Sequence, residues 1–272
     1  EENLNSSKIK GKDCFVQNGN FGSLLTLENG KVITAKITQI SKHKVNEKLF
    51  KIKLDNGQDL IVTAKHPFIK PHLSNLYNEV DAETLKKNDY ILSPISISIS
   101  ENKINPFLAR FLGYHITDGS YELNRGKKNG VNFTNKNIEL IEDYTKLSKQ
   151  LFDKEPYIYK RKNGMYYARI ISVEVMKKLI GIDKTLLEKG NVKKIPLCIM
   201  NSDKKATIEF LKACFEGDGG FKNGTVYFVS SNEIVIEQLQ FLLLRLGIFS
   251  RKKIDSNVFR LYINGENAKN FC

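Results

Sequence analysis

The feature that most constrains the fold of this chain is an internal duplication in its second part. FLGYHITDG at residues 111–119 and LKACFEGDG at residues 211–219 each end a helical pattern of apolar residues with Asp-Gly, one hundred residues apart. After each motif come two strand patterns, a second helical pattern and two further strand patterns, in the same order. Two copies of one six-element unit are therefore expected, over about residues 104–190 and 202–272.

The two copies differ in the hairpin that follows the motif. Asp118 to Phe133 spans 15 positions, whereas Asp218 to Phe228 spans 10. We therefore expect the first hairpin to be five residues longer than the second.

The first part of the chain reads instead as short β-strands. KVITAKITQI, KLFKIKL and DLIVTA are rich in β-branched residues and alternate in part, and Asn-Gly turns separate them. The Ser-rich segment at residues 92–106 reads as a linker, since it ends in Asn-Pro before a helical pattern. The expected fold class is α+β: a small all-β module over residues 1–100, followed by the duplicated domain over residues 101–272.

Charge also separates the two parts. The chain holds 43 Lys and Arg against 30 Asp and Glu, a formal net charge of +13. Residues 1–100 hold 14 basic and 11 acidic side chains, whereas residues 101–272 hold 29 and 19. Most of the surplus therefore belongs to the duplicated part, which points to a polyanion such as nucleic acid. A solvated Lys-rich surface is the alternative.

Several absences narrow the class of protein. No apolar run approaches the ~20 residues that span a bilayer, and the polar, acidic start is unlike a signal peptide. The four cysteines are scattered without paired spacing, which argues against a zinc site or a disulfide framework and fits a reducing compartment. We expect an intracellular, cytoplasmic protein without a membrane partner.

The two motif aspartates are unusual for their position. Gly is favoured after a helix because it readily adopts a left-handed conformation, but Asp118 and Asp218 place a carboxylate at the negative end of the helix macrodipole. If the helices pack through Gly113, Ala213 and Gly217, both carboxylates arrive at one end of the interface. A divalent cation could bind them there together with phosphate oxygens. For either motif alone, a plain turn after a core helix is the alternative.

These residues resemble the paired motifs of the LAGLIDADG homing endonucleases, in the arrangement of the single-chain members of that family. The resemblance covers about residues 104–272 and implies a pseudo-twofold αββαββ fold whose two sheets form a saddle on double-stranded DNA with a long recognition site. It also implies a monomer with an internal pseudo-dimer, in which Asp118 and Asp218 are catalytic and bind Mg²⁺ or another divalent metal. His115 and Ile116 depart from the usual residues of the first motif.

The resemblance further implies basic residues late in each repeat, near the phosphate that is cut. Matching Ile171 to Ile263 aligns Lys160 with Lys252, which are the candidates for that catalytic role. Other basic residues of the strand patterns are expected to contact DNA, with tyrosines between them. These DNA-binding candidates are Lys127, Lys128, Lys162, Arg169, Lys222, Arg251, Lys253 and Arg260.

The first part resembles the Hint splicing module of inteins. LIVTAKHPFI places Thr63 and His66 three residues apart, just before Pro67. The resemblance implies that His66 polarises the scissile peptide at the upstream splice junction, that Thr63 assists, and that the exteins of a host protein are partners. Cys14 lies only 52 residues before His66 without the usual following block, and no His-Asn pair ends the sequence. A fragment of a larger intein and a remnant module that assists DNA binding both fit.

The sequence therefore predicts a site-specific, metal-dependent double-strand DNA endonuclease embedded in an intein. Two alternatives stay open. One is a DNA- or RNA-binding maturase or regulator that kept the fold without cleavage, and the other is a protein whose main activity is splicing. The presence of both motif aspartates favours the enzyme.

Overall fold

The chain forms two compact units in its structure, a computed structural model. The described residues are 7–8, 14–73, 76–97 and 102–271. The first unit comprises Glu1–Leu54 and Asp59–Pro94, and the second comprises Asp55–Gln58 and Ile95–Cys272. Part of the Ser-rich segment predicted as a linker, residues 98–101, lies outside the described residues.

The first unit is built from antiparallel hairpins, as its partly alternating sequence predicts. Its strands are β1 (Ser7–Lys8), β2 (Cys14–Asn18), β3 (Ser23–Glu28), β4 (Lys31–Lys36), β5 (Gln39–His43), β6 (Leu49–Lys53), β7 (Asp59–Thr63), β8 (Pro67–His72) and β9 (Leu76–Asp81). β1, β2 and β5 form one sheet, while β3 with β4, β6 with β7 and β8 with β9 form two-stranded sheets. Gly30 lies in its predicted turn with a φ of +75°, which glycine adopts without strain.

Little of the first unit is buried. Among its described residues, Phe68 and Ala82 are the only buried hydrophobic side chains. Apolar strand residues such as Leu49 and Ile61 are exposed, the latter to 68%. Because two-stranded hairpins are at most marginally stable by themselves, local pairing alone accounts for little stability in this unit.

The second unit contains the duplicated domain. Its helices are α1 (Pro106–Thr117), α2 (Ile138–Phe152), α3 (Val173–Ile182), α4 (Leu197–Met200), α5 (Lys204–Asp218), α6 (Glu233–Arg245) and α7 (Glu266–Phe271). Its strands are β10 (Gly119–Asn124), β11 (Lys127–Asn135), β12 (Tyr157–Lys160), β13 (Tyr166–Ile170), β14 (Gly219–Lys222), β15 (Thr225–Ser230), β16 (Arg251–Asp255) and β17 (Val258–Ile263). The first half-repeat runs from α1 to β13 and the second from α5 to β17, so the predicted order occurs twice. Within the described residues, no helix is both long and apolar enough to cross a membrane.

The two four-stranded sheets share one topology. Their strand orders are β10-β11-β13-β12 and β14-β15-β17-β16, with antiparallel neighbours throughout. In each sheet the first hairpin pairs a glycine with a buried phenylalanine, Gly119 with Phe133 and Gly219 with Phe228. The extra residues of the first copy therefore lie in the β10–β11 hairpin, as predicted, and its register shifts after Glu122.

The motif helices begin at residues that suit a helix N-terminus. The side chain of Asn105 accepts a hydrogen bond from the N–H of Phe107 (2.9 Å), and Pro106 takes the first helical position of α1. Asp203 caps α5 by accepting from the N–H of Ala206 (3.0 Å). Both helices lie in one hydrophobic core that is continuous through the two half-repeats.

Candidate functional site

The two motif helices pack against each other, and small residues make that contact possible. A Cβ atom added at Gly113 in α1 would stand 2.6 Å from the carbonyl oxygen of Phe210 and 2.7 Å from the Cβ of Ala213 in α5. A Cβ on Gly217 would stand 2.7 Å from Oγ1 of Thr117. Side chains cannot approach so closely without displacing the helices. The predicted packing through these small positions is confirmed.

The glycines that follow the two aspartates serve a different purpose from the one predicted. Neither adopts a left-handed φ, and Gly219 has a φ of −96°. A Cβ on Gly119 would collide with Nδ1 of His115, and a Cβ on Gly219 would collide with the carbonyl oxygen of Phe215. The expectation of left-handed glycines is therefore wrong. A close approach to the preceding helical turn excludes side chains here.

The packing of α1 on α5 brings Asp118 and Asp218 within electrostatic reach of each other. Burial raises the pKa of Asp218 to about 7, and the neighbouring carboxylate of Asp118 adds to that rise. Burial also raises the pKa of Asp118, which the charge of Lys193 and a hydrogen bond with Asn135 oppose. The two acids form a half-buried pair of like charges, which favours the uptake of a proton or a cation.

A lysine that the sequence analysis did not single out lies beside this pair. The buried amine of Lys193 donates hydrogen bonds to the carbonyl oxygens of His115 (2.6 Å), Thr117 (3.2 Å) and Gly119 (2.7 Å). It thereby caps the C-terminus of α1, where a cation offsets the helix macrodipole. Burial lowers the pKa of Lys193 to about 8, while both motif aspartates oppose that change. The positive charge of this amine therefore offsets part of the unfavourable position of the two carboxylates at the helix C-termini.

The second half-repeat holds the segment that carries Lys193. Nδ2 of Asn232, the residue that caps α6, donates to the carbonyl oxygens of Gly190 (2.9 Å) and Lys193 (2.7 Å). Oε1 of Gln238 accepts a hydrogen bond from the N–H of Ile195 (2.8 Å). In the sequence, the only signal of this role was a pair of lysines shortly before a proline, which is common at protein surfaces.

His115, which departs from the family motif, is a core residue. Its ring lies 4.9 Å from that of Phe111, and its Nε2 shares a hydrogen bond with the hydroxyl of Tyr144 (3.0 Å). Complete burial lowers the pKa of His115 to about 3, with a further contribution from Lys193. The imidazole is therefore neutral, and the departure from the motif is accommodated by packing.

Arg110 joins three helices next to this core. Its Nε donates to Asp143 in α2 (2.6 Å), and its guanidinium also donates to Glu216 in α5 (2.6 Å). The hydroxyl of Tyr114 donates to the same carboxylate of Asp143 (2.8 Å). The acidic residue that precedes Gly217-Asp218 is therefore part of an ion-pair network that fixes α1 against α5.

Each sheet has one face against the helices and one outward face, because strand side chains alternate. We call six outward residues of the first sheet the first face: Glu122, Asn132, Tyr157, Tyr159, Tyr167 and Arg169. We call the six outward residues at the matching positions of the second sheet the second face: Lys222, Tyr227, Arg251, Lys253, Arg260 and Tyr262.

The second face lines a concavity of about 500 Å³. The four basic residues predicted from the second half-repeat to contact DNA all belong to this face, and the amine of Lys253 lies 5.9 Å from the ring centre of Tyr262. A basic concave surface of this kind suits a phosphate backbone.

The basic residues predicted from the first half-repeat are more scattered. Arg169 belongs to the first face and forms an ion pair with Glu122. Lys127 and Lys128 stand at the tip of the β10–β11 hairpin, where the amine of Lys128 lies 3.5 Å from the ring centre of Tyr121. Lys162 lies in the turn between β12 and β13. Their contacts with DNA stay a prediction.

The predicted match between Lys160 and Lys252 is wrong. Strand register pairs Lys252 with Leu261, which in turn lies opposite Phe228. The residue of the first sheet that matches Lys252 is therefore Ile158. The alignment had started from Ile171, one residue beyond the end of β13, and the two terminal hairpins differ in length.

Neither of these lysines is brought to the aspartates. The buried amine of Lys252 forms ion pairs with Glu233 and Glu237 of α6, each at 2.7 Å, on the helix side of the sheet. The amine of Lys160 donates to the hydroxyl of Tyr166 (3.0 Å). Both amines already have partners on the helix side of their sheets, so the catalytic role predicted for them is not supported by this geometry.

In the first unit, Thr63 and His66 lie together at the turn that follows β7. The N–H of His66 donates to the carbonyl oxygen of Thr63 (3.2 Å), and the carbonyl oxygen of His66 accepts from the N–H of Ala82 (2.9 Å). The exposed imidazole contacts the edge of the Phe68 ring, at 5.4 Å between centroids. The backbone of this turn is thus fixed on both sides, while the imidazole faces solvent.

Two family models match the chain. The model described as the intein splicing domain matches residues 4–182, and the model described as a LAGLIDADG-like domain matches residues 205–272. The first match extends beyond the β-rich unit through the first half-repeat.

This chain spans only a small part of the length of each curated relative that it matches. A replication factor C small subunit of Methanocaldococcus jannaschii is 31% identical over 94% of this chain and 14% of the relative. A DNA polymerase of Thermococcus litoralis is 30% identical over 60% of this chain and 9% of the relative. A replication factor C small subunit of Pyrococcus horikoshii is 26% identical over 90% of this chain and 26% of the relative.

Solved structures match part of the chain. Variants of the homing endonuclease I-DmoI match with a TM-score of 0.50 at 18% identity, covering 61% of this chain and 92% of theirs. The complex of I-DmoI with DNA and Mn matches with the same TM-score and identity, over 61% of this chain and 93% of that one. At this identity, the likeness establishes the fold.

Proposed function

We propose that this chain is a site-specific, metal-dependent endonuclease of double-stranded DNA within an intein. The premise is its family: the chain belongs to the intein splicing-domain family and carries a LAGLIDADG domain. One observation carries the proposal. Two half-buried aspartates meet at the end of a glycine-packed helix pair, inside a domain whose sheets present outward basic and aromatic residues.

The carboxylates of Asp118 and Asp218 fit a hard divalent cation. Carboxylate oxygens are the preferred ligands of Mg²⁺, which commonly keeps waters and substrate phosphates as its other ligands. Because the three hydrogen bonds of Lys193 go to backbone carbonyl oxygens, they leave the carboxylate oxygens available. The raised pKa of Asp218 reflects an environment in which a nearby cation would be stabilising. The chemistry that such a cation supplies is Lewis-acid stabilisation of phosphate oxygens and a lower pKa of water.

The residues of the chain have separate tasks in this proposal. α1 and α5 hold the two carboxylates at a fixed separation, because the helices pack without intervening side chains at Gly113 and Gly217. Lys193 keeps a positive charge beside them, which lowers the pKa of both aspartates and favours their ionised forms. The two outward faces bind the duplex and direct its phosphates toward the aspartates.

In vitro selection tests this function without knowledge of the target. Supercoiled plasmids with randomised inserts are incubated with the protein and millimolar Mg²⁺, and linear molecules are captured and sequenced. We expect a set of related inserts, cut in both strands, that disappears in EDTA. Asp118→Asn and Asp218→Asn should bind the recovered site and leave it intact.

Two results of this selection would count against the proposal. Equal cutting by the wild type and both asparagine variants would exclude the aspartates as the active site. Tight binding of duplex DNA without any linear product, in any divalent metal, would favour the DNA-binding maturase or regulator.

The first unit supports a splicing role for the longer protein. The relatives that match this chain are named as replication factor C small subunits and DNA polymerases. We therefore propose that the host protein of the intein is a replication protein. In that context His66 would polarise the scissile peptide and Thr63 would assist. Expression of the complete gene should give a ligated host protein that is lost in His66→Ala. Undiminished ligation in that variant would contradict the role of His66.

A further inference from the structure

The first and second faces occupy matching positions but differ in charge. Register places Tyr157 at the position of Arg251, Tyr159 at that of Lys253 and Tyr167 at that of Arg260. The remaining matches are Arg169 with Tyr262, Glu122 with Lys222 and Asn132 with Tyr227. Over six positions the first face has a net charge of zero and the second face has a net charge of +4.

Several polar groups of the first face pair with one another. Glu122 pairs with Arg169 and accepts a hydrogen bond from Nδ2 of Asn132 (3.3 Å), and Oδ1 of Asn132 accepts from the hydroxyl of Ser120 (2.9 Å). This chain of contacts fixes the orientation of an amide, a carboxylate and a guanidinium. The amide of Asn132 and the guanidinium of Arg169 are partly exposed and can form hydrogen bonds with base edges, while Glu122, which is only 8% exposed, holds them in place.

Aromatic rings form the rest of the first face. Tyr159 and Tyr167 stack with 5.1 Å between ring centroids and an angle of 15° between their planes. Arg161, from the adjoining turn, lies over Tyr167 at 4.0 Å and adds one cation at the edge. The stacked rings offer large, ordered surfaces and hydroxyl groups, and they add no charge that would attract phosphates.

The second face offers cations instead. Arg251 is paired with Asp55, and Arg260 with Asp255 (3.1 Å). No carboxylate pairs with Lys222 or Lys253 in the part of the chain that the structure describes. These two amines project from the walls of the 500 Å³ concavity. A phosphate entering there would displace only water and salt ions from them.

We infer that the two half-repeats divide the recognition of duplex DNA unequally. The second face supplies the salt-dependent contacts to phosphates, and the first face supplies most of the discrimination between base sequences. This inference rests on the proposed function, because it assigns tasks within the same DNA site.

Salt-dependent binding to a short random-sequence duplex tests the first half of the inference. Affinity is measured by fluorescence anisotropy in EDTA between about 50 and 200 mM KCl, where each phosphate contact contributes about 0.9 to the slope of log affinity against log salt. Lys222→Gln and Lys253→Gln should each reduce the slope by about 1, and the double variant by about 2. Each single variant should lose about tenfold in affinity near 100 mM KCl.

Two control variants test whether the slope depends on the second face itself or on any loss of charge. Lys178→Gln removes one exposed amine from α3, away from both faces, and should leave the slope unchanged. Glu122→Gln combined with Arg169→Gln removes the ion pair of the first face at constant net charge and should also leave the slope unchanged. The same double variant should lose at least about tenfold of the preference for the selected target over random DNA. Melting curves of all variants check that they are folded.

The outcomes of these measurements are distinct from those of the cleavage test. Equal slopes for the wild type and Lys222→Gln/Lys253→Gln, or no binding to the random duplex at the lowest salt, would overturn the inference. A full preference for the target in Glu122→Gln/Arg169→Gln would overturn it as well. A protein that shows the expected slopes and never cuts would refute the endonuclease and leave the division of tasks intact. A protein that cuts, with both faces contributing equally to the slope, would refute the division alone.

Discussion

The two half-repeats agree where they touch each other and differ where they face outward. Both motif helices end in Asp-Gly, and a Cβ atom on either following glycine would collide with the preceding turn. Both sheets also pair that glycine with a buried phenylalanine. Three matching outward positions, by contrast, carry tyrosines in the first sheet and lysine or arginine in the second. Close packing fixes the position of the two aspartates, whereas the surfaces around them are free to diverge.

A second difference lies at the helix ends that carry the aspartates. The C-terminus of α1 is capped by Lys193, which comes from the segment between the half-repeats. Among the described residues, no lysine amine has a hydrogen bond with the last carbonyl oxygens of α5. Burial raises the pKa of Asp218 to about 7, with a further contribution from Asp118. The pair is symmetric in position and unequal in its surroundings.

The largest effects should come from the aspartates themselves. Asp118→Asn and Asp218→Asn each remove one carboxylate and retain the shape of the site, so each should slow double-strand cleavage by about 10³-fold or more. Nicked and linear products on the selected plasmid are to be quantified separately over time. If one variant still nicked a single strand at the wild-type rate, the aspartates would act independently and the shared site would be excluded.

The next effect should come from Lys193. Lys193→Met removes the amine that lowers the pKa of both aspartates, so their pKa values should rise and the acidic limb of the pH–rate profile should move to higher pH. We expect a loss of about 10²-fold at neutral pH that is partly recovered under alkaline conditions. Lys178→Met provides the matched surface control. If the rate were lower by the same factor at every pH and the profile did not shift, Lys193 would act only as a structural cap of α1.

Glycine substitutions test the contact between the half-repeats. Gly113→Ala forces a Cβ to within 2.7 Å of atoms in α5 and should lower the free energy of unfolding by about 1 to 3 kcal/mol. Gly181→Ala is the matched control, because no atom lies within 4 Å of the added Cβ in α3. The control should be neutral or stabilising by up to about 1 kcal/mol. Equal effects in chemical denaturation would show that α1 and α5 are not in close contact.

The smallest effect concerns stability against pH without metal. Because the pKa of Asp218 is about 7 in the folded state and 3.8 in an ordinary Asp, the folded state holds the proton more tightly than the unfolded state does. Stability should therefore fall as pH rises from about 4 to 7. In EDTA, Asp218→Asn should lack this component and melt several °C above the wild type at pH 8. A difference between the two proteins that does not change with pH would contradict the assigned pKa.

The order of elements and the motif positions could be predicted because they leave periodic signals. Helical spacing, Asp-Gly and the hairpin lengths were enough to relate Asp118 to Asp218 and to locate the longer hairpin. Strand register was not predictable at the same level. The one-residue error at Ile171 and the different lengths of the two terminal hairpins together misaligned Lys160 with Lys252 by two residues.

The role of Lys193 was not predictable for another reason. Its contacts join the end of α1 to a segment 74 to 78 residues later, which in turn is held by Asn232. No local pattern encodes a contact over that distance. The first unit illustrates the opposite case, since its hairpins were predicted from turns and alternation although Phe68 and Ala82 are its only buried hydrophobic residues among those described. Local signals predict strands without predicting a core.

Metal binding is the most direct test of a metal site formed by Asp118 and Asp218. Free Mn²⁺ is followed by electron paramagnetic resonance as it is titrated into the wild type and into Asp118→Asn/Asp218→Asn, each bound to the selected duplex at about pH 8.5, above the pKa of about 7 of Asp218. We expect saturable Mn²⁺ binding by the wild type and its loss in the double variant, with duplex affinity retained. Equal Mn²⁺ binding by the two proteins would contradict a metal site built from Asp118 and Asp218.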